Sequence, residues 1–413
     1  MSEKDFTRER KQNFPNILLF MMNFLRKSLS LEIENFVKHS YFIKGNKLIS
    51  AFSKSAFCQC RKKINPAVFV NLNQTLIREF YTDNEDSIKL WKGYRLLAVD
   101  GSRMTLPNTP ELQNQYGLTK NQSNTGFAQA RVSVLYDVLN NYVLDGILSP
   151  LSHGELVSAI DHLEHTKAQD LILYDRGYPS FRLIFEHFSK SIDFVIRAKK
   201  DFNNEVIGFY ASGLKSKIIK IHPGKNTKIS DKPYNYQSFE TVRLVRVSLP
   251  GNEDEILITS LLDEKKYTSN LFKQLYFKRW GIETFYDEFK NKLKVENFSG
   301  YSNHTILQDF YAALFVSNIQ TLLMGEINDE LAQKTKTKYV YKVNNNLSYG
   351  FLKDRIVTLF FSDKNTDNTL AELKELFKKH LIPIRPNRTY ERQKDKFRNR
   401  QKPKVTKNQK DTL

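Results

Sequence analysis

Two apolar runs, each ending in an aspartate, constrain this chain more than any other feature. Tyr94-Arg95-Leu96-Leu97-Ala98-Val99 leads into Asp100-Gly101-Ser102, and Leu171-Ile172-Leu173-Tyr174 leads into Asp175-Arg176-Gly177-Tyr178. Short apolar runs closed by turn signals read as buried strands. A strand that stops in Asp leaves a carboxylate at its C-terminal edge, where the chain turns away. An Asp-Gly turn alone is commonplace. The surrounding pattern is what constrains the fold. Arg131–Val138 and Tyr142–Ser149 read as strands joined at a hairpin, Leu139-Asn140-Asn141. Gly154–Thr166 and Ser180–Ser189 read as helices, and Asp193–Arg197 as a further strand. The expected order is strand, strand, strand, helix, strand, helix, strand.

A third acid sits in Leu271–Leu293, which reads as one long helix of strong helix formers, interrupted only by Gly281. At about 100° per residue, Tyr276, Arg279, Glu283 and Lys290 fall within roughly 60° of one another. Leu271, Leu275, Ile282, Phe285, Phe289 and Leu293 form a separate apolar stripe that buries itself. The neighbouring face presents a carboxylate among a phenol, a guanidinium and an ammonium. A charged helix face is ordinarily solvated, and Arg279 and Glu283 at i, i+4 form a common surface pair. The fixed spacing, Tyr-x2-Arg-x3-Glu-x6-Lys, is what separates this face from such a pair.

With that spacing the sequence resembles the bacterial insertion-sequence transposases of the DDE class, in the insertion-sequence-four-type group that carries the YREK signature. An Asp-Arg-Gly-Tyr run at the second aspartate is similar to the family's own. The resemblance covers roughly residues 90–310 and implies an α/β, ribonuclease H-like catalytic core. In that fold the ends of the first and fourth strands lie side by side, and a later helix supplies a third acid. Asp100, Asp175 and Glu283 stand in those three places, as catalytic residues and metal ligands. Three carboxylates without histidine or cysteine suit hard cations, two Mg²⁺ ions with Mn²⁺ as a substitute. Tyr276, Arg279 and Lys290 would hold DNA phosphates, the guanidinium being suited to bidentate contact. Arg176 and Trp280 are further candidate DNA contacts, although core packing is the stronger reading of Trp280.

The net charge of the 413-residue chain, +19, points to an anionic partner, DNA above all. A hydrophobic fraction of 40% is enough for a substantial core. The apolar run from Asn16 to Leu25 is too short for a membrane span and has no cleavage site of a signal peptide. Cys58 and Cys60 are spaced too closely for an ordinary zinc pair. The expectation is a soluble protein of a reducing compartment, cytoplasmic and associated with the bacterial nucleoid, with no membrane partner.

The expected organisation has a helical N-terminal DNA-binding domain over residues 1–90. There a helix capped near Ser53 shows Arg61, Lys62 and Lys63, candidate DNA contacts as much as an ordinary basic surface. The core follows over 91–199 and resumes over 263–325. Between them, 200–262 reads as a β-rich insertion, with strands at Ser216–His222, Phe239–Ser248 and Glu255–Leu261 and no helix. Residues 326–382 form a helical C-terminal region, with Lys334–Asn346 as a loop. Residues 383–413 form a basic tail in which Arg and Lys from Arg385 to Lys410 face only Glu391, Asp395 and Asp411. Such a block is disordered alone and neutralises phosphates on DNA.

The resemblance implies a cut-and-paste enzyme. It would bind the terminal inverted repeats of its element, hydrolyse the DNA ends and join their 3′-hydroxyls to target duplex DNA. A homodimer would hold the two ends in a synaptic complex. Two other readings stay open: a catalytically silent regulator derived from a transposase, and a nuclease of the same fold.

Overall fold

The computed structural model describes residues 6, 13–23, 25–41, 51–120, 126–225, 227–248, 254–333, 339–353, 355–361, 366–385 and 413. The chain forms two compact units. One takes Met1–Asn65, Glu288–Ser299 and Ile319–Leu413; the other takes Pro66–Asp287 and Gly300–Asn318.

The first unit begins with α1 (Phe14–Met22), α2 (Leu29–Tyr41) and α3 (Lys54–Arg61). Asn13 and Ser53 open α1 and α3 by accepting hydrogen bonds from the Asn16 and Ala56 N–H groups, which otherwise lack helical partners. Phe20 gathers Phe36, Phe52 and Phe57 around it edge-on. Glu32 is fully buried. It accepts from the Arg26 and Lys27 N–H groups and pairs with Lys353 at 2.9 Å.

The second unit begins with α4 (Ala67–Asp83), so residues 66–90, grouped with the N-terminal helices on sequence, lie in the unit that holds the sheet. It continues with β1 (Arg95–Thr105), α5 (Pro110–Tyr116), β2 (Leu118–Lys120), β3 (Gly126–Asp137) and β4 (Tyr142–Ser149). Next come α6 (Glu155–Asp161), β5 (Asp170–Tyr174), α7 (Phe181–Ser189) and β6 (Asp193–Ala198). The strands lie in the order β4-β3-β1-β5-β6. The first three are antiparallel, while β5 and β6 run parallel to β1. This is the ribonuclease H-like order, an α/β core as expected.

Arg95–Val99 and all of β5 are buried, as interior parallel strands with both faces covered must be. One face packs Leu97, Val99, Ile172 and Tyr174 against Ala159, Leu163, Phe181 and Ile184 of the helical layer. A buried lock sets the register. Arg95 stands opposite Asp170 and donates to both of its carboxylate oxygens, at 2.8 and 2.6 Å. The Tyr81 ring lies 4.8 Å from that guanidinium, and its hydroxyl donates to Asp137. Asp137 also accepts from the Leu139 and Asn140 N–H groups, closing the expected hairpin.

The region between β6 and the Glu283 helix extends the same sheet. It holds α8 (Asn204–Ser212), β7 (Ser216–Ile221), β8 (Glu240–Ser248) and β9 (Asp254–Thr259), and β9 pairs antiparallel with β6. Among the described residues the sheet has nine strands. The helix α8 corrects the expectation of none there. Asn203 caps it, and Gly213 ends it in the left-handed conformation at φ 70°. The expected single helix over Leu271–Leu293 is also corrected. It is broken into α9 (Ser269–Phe277) and α10 (Trp280–Asp287) by a tighter turn, where the Arg279 N–H bonds the Tyr276 carbonyl. A π-helical turn, Glu288–Lys292, follows in the first unit.

The helix α11 (Asn303–Ala332) contributes to the second unit as far as Asn318, whose side chain donates to Asn73 and to the Val143 carbonyl. Among the described residues it alone is long and apolar enough to cross a membrane, and 67% of its apolar window is buried within the protein. The rest of the first unit is β10 (Val340–Val343), α12 (Asn345–Leu352), α13 (Ile356–Phe361), α14 (Thr366–Lys379) and β11 (Leu381–Ile384). The antiparallel pair β10 and β11 replaces part of the expected loop Lys334–Asn346. Residues 386–412, nearly the whole basic tail, lie outside the described residues.

Candidate active site

Parallel pairing brings the two aspartates together. The observed register sets Arg95 opposite Asp170 and Ala98 opposite Leu173. Continued two residues beyond the last paired positions, the same offset sets Asp100 opposite Asp175, which directly follows β5; β1 itself runs on to Thr105 alongside β3, so Asp100 lies within its strand and not at its end as expected. Next door, β6 sets Ile196 opposite Tyr174. The following residue, Arg197, reaches Asp175 Oδ1 at 3.8 Å and Glu255 at 2.7 Å.

The helix pair α9–α10 lies over both aspartates. The Tyr276 hydroxyl faces the Tyr174 carbonyl at 3.3 Å and Asp175 Oδ1 at 3.4 Å. Tyr286 donates to the Asp100 carbonyl at 2.8 Å, which ties α10 to β1 at the residue that matters most. Arg279 is buried and donates to Glu283 Oε1 at 2.8 Å, while its Nε has no protein partner. Its guanidinium lies 5.7 Å from the Tyr276 ring and 5.4 Å from the Trp280 ring. A cleft of about 830 Å³ opens beside α9, lined by Arg197, Glu255, Lys273, Tyr276, Arg279 and Trp280, among others; it meets the acids through Tyr276, Arg279 and Arg197, and Asp100, Asp175 and Glu283 are not part of its wall.

The acids share one electrostatic environment. Burial pushes Asp100 up to about 6; the Gly101 N–H and Arg279 pull it down, and Glu283 and Asp175 push it up. Burial also works against the Arg279 charge, but Tyr276, Glu283 and Asp175 outweigh it and hold the guanidinium above its ordinary value. A polyvalent cation placed here would favour the ionised carboxylates that burial opposes.

Among the described residues, no three His, Cys, Asp or Glu side chains are gathered closely enough to hold a metal ion as they stand. Glu283 is occupied by Arg279. The donor chemistry nevertheless suits a hard dication, which commonly takes only one or two protein carboxylates and fills its shell with water and phosphate oxygens. Asp100, within β1, and Asp175, directly after the adjacent strand β5, fit that requirement.

The remaining sequence candidates divide. Lys290 lies in the π-helical turn of the first unit, where burial lowers its pKa. Arg176 is exposed beside Asp175, and Trp280 is 40% exposed at the cleft. Arg61 is buried, donates to Ser299 Oγ at 2.8 Å and lies 5.2 Å from the Phe57 ring, so its packing role is evident; Lys62 and Lys63 are exposed. Sequence reasoning missed Arg197 and Tyr286. Arg197 is the penultimate residue of β6, next to the strand that leads into Asp175, a position the strand order alone could have flagged. Tyr286 carries no such signal.

Residues 91–319 match the family described as the Transposase DDE domain. The chain is 24% identical over 247 residues to the transposase InsG for insertion sequence element IS4 of Escherichia coli K12, covering 58% of this chain and 54% of that one. It is 23% identical over 171 residues to the putative transposase InsZ of the same organism, covering 40% and 56%. The chain thus spans about half the length of these curated relatives. Among solved structures it is similar to the piggyBac transposase in a synaptic complex with hairpin DNA, with a TM-score of 0.40 and 10% identity over 95% of this chain and 81% of that one. The family match takes in more than half of the chain, both aspartate-bearing strands and α10 included, and the chain therefore belongs to the DDE transposases.

Proposed function

We propose that this chain binds the terminal inverted repeats of an insertion sequence, cleaves the DNA there and joins the 3′ ends to target DNA. The observation that carries this reading is that Asp100 of β1 and Asp175, just past the end of the neighbouring parallel strand β5, act electrostatically on one another and with Glu283 inside the matched domain.

Family membership implies a divalent metal, and we assign it as Mg²⁺, with Asp100 and Asp175 as its holders. Two such ions, when bound, supply a nucleophilic oxygen at neutral pH and charge neutralisation at the leaving oxygen. The protein's own work is orientation. Tyr276 steadies Asp175, and Tyr286 fixes the backbone at Asp100. Arg279 offers a buried N–H without a protein partner, and a phosphate oxygen in the cleft would satisfy it. Turning Arg279 toward that phosphate would release Glu283 to join the aspartates. Trp280 offers a stacking face for an unpaired base at the DNA end. Arg176, Lys62 and Lys63 are exposed cations for the DNA backbone, and Lys290 holds the last signature position, with the phosphate role that the resemblance implies. Two DNA ends require two active sites, hence a homodimer, working in the bacterial cytoplasm.

The test is a labelled duplex bearing the element's own end, incubated with Mg²⁺, with Ca²⁺ or with chelator. Asp100→Ala, Asp175→Ala and Glu283→Ala should each abolish Mg²⁺-dependent cleavage while end binding persists. Cleavage retained by any of the three removes that residue from the assignment. Binding without cleavage by the unaltered protein favours the silent regulator.

A further inference from the structure

A fourth carboxylate stands beside the two aspartates, and nothing in the proposed chemistry uses it. Glu155, the first residue of α6, packs against the backbone that follows each of them. A Cβ placed on Gly101 would meet the Glu155 Cγ and Cδ at 3.3 and 3.4 Å, and one placed on Gly177 would lie 4.0 Å from its Oε2. Gly101 directly follows Asp100, and Gly177 follows Asp175 by two residues. The Glu155 side chain thus lies against the backbone next to both aspartates. Arg131 of β3 pairs with it through Nη1 and Oε1. Close by is Tyr178, only 3% exposed, whose hydroxyl is buried without a protein partner. The charges of Asp100, Glu155, Arg131 and Asp175 all act on that hydroxyl. A buried donor among three carboxylates lacks an acceptor, and water carried on a cation at the aspartates would supply one.

We infer that Glu155 is a positioning residue for the metal site: its charge, anchored by Arg131, strengthens the hold of the Asp100–Asp175 pair on a divalent cation. The inference rests on the reading of those aspartates as metal holders. Glu155 lies outside the direct ligands, where loss of a supporting group costs about 10- to 100-fold in metal affinity. Its side chain is 45% exposed. Solvent screening therefore puts the expected effect at the low end, about 10-fold.

The test is direct titration of the full-length protein with Mn²⁺, followed by electron paramagnetic resonance, without DNA and without turnover. Glu155→Gln keeps the shape and removes the charge; it should weaken Mn²⁺ binding about 10-fold while the melting temperature in chelator stays that of the unaltered protein. Glu155→Asp keeps the charge and should bind within about 3-fold of the unaltered protein, showing that charge rather than length is read. Unchanged Mn²⁺ affinity in Glu155→Gln overturns the inference, and so does equal weakening in both variants. Asp100→Ala in the same titration separates the two readings. If it loses Mn²⁺ while Glu155→Gln does not, only the role of Glu155 fails. If it binds Mn²⁺ normally, the metal reading fails and takes this inference with it.

Discussion

Arg279 is the side chain whose chemistry is hardest to replace. Lysine would keep the charge and lose the planar fork, together with the buried Nε that awaits an acceptor. The expected cost of Arg279→Lys is about 2–3 kcal/mol of transition-state stabilisation, roughly 30- to 150-fold in the single-turnover cleavage rate. Gel-based single-turnover kinetics with saturating DNA measures it, and a rate within 3-fold of the unaltered enzyme would remove Arg279 from the chemistry. Tyr286→Phe deletes one hydroxyl and its bond to the Asp100 carbonyl. It should lower stability by about 1 kcal/mol, read from denaturant midpoints. At this scale the sequence was legible wherever spacing encodes geometry. Tyr276, Arg279 and Glu283 were singled out by helical spacing together with the resemblance; although the helix breaks at Arg279, Arg279 and Glu283 do meet. Glu155, Tyr178 and Tyr286 were not legible. Tyr286 bonds a backbone carbonyl, Glu155 pairs with Arg131 of another strand and lies against Gly101, and the Tyr178 hydroxyl is buried without a protein partner; no local pattern marks such placements.

Among the elements, β5 and α7 make a coupled test. His187 of α7 is fully buried, with Nδ1 donating to the Ile192 carbonyl at 3.0 Å and Nε2 accepting from the Tyr174 hydroxyl at 2.9 Å. That pattern requires the neutral ring, and burial pushes its pKa down from 6.5 to about 4. The unfolded chain takes up the proton below about 6.5, the folded chain only below about 4. Stability from this group is therefore complete above 6.5 and declines as the pH falls toward 4, by on the order of 3 kcal/mol. Thermal melts across that window should show the decline, and His187→Gln should reduce it; identical pH profiles for the two proteins would contradict the account. The strands were legible because short apolar runs, and the hairpin between β3 and β4, are local signals; the extension of β1 past Asp100 to Thr105 was not, because it is held by pairing with β3. The break between α9 and α10 was not, because every residue around Lys278 is an adequate helix former. The two strands β10 and β11 were missed for another reason: each is short, and each becomes a strand only by pairing with the other across an intervening stretch of helices.

Over the whole molecule, the first unit is assembled from three separated pieces of chain. A linear reading of boundaries cannot show that interleaving, because membership is decided by packing rather than by composition. One consequence is testable at Glu32 and Lys353, which come from different pieces and form a buried pair. Lys353→Met leaves a buried carboxylate without its counter-charge and should destabilise the first unit by about 3–5 kcal/mol, measured by denaturant unfolding; a loss under 1 kcal/mol would show the pair to be dispensable. The excess of +19 charges belongs to this scale as well. Truncation after Pro383 should weaken DNA binding and flatten its dependence on salt. Fluorescence anisotropy at several salt concentrations measures the slope, and an unchanged slope would exclude the tail as a DNA contact.

The central claim is that carboxylates far apart in sequence meet around divalent metal. Anomalous diffraction from crystals soaked in Mn²⁺ tests it most directly. The account predicts a peak held jointly by the side chains of Asp100 and Asp175, absent after soaking in chelator. A peak held by other residues, or none with the aspartates fully ordered, would contradict it.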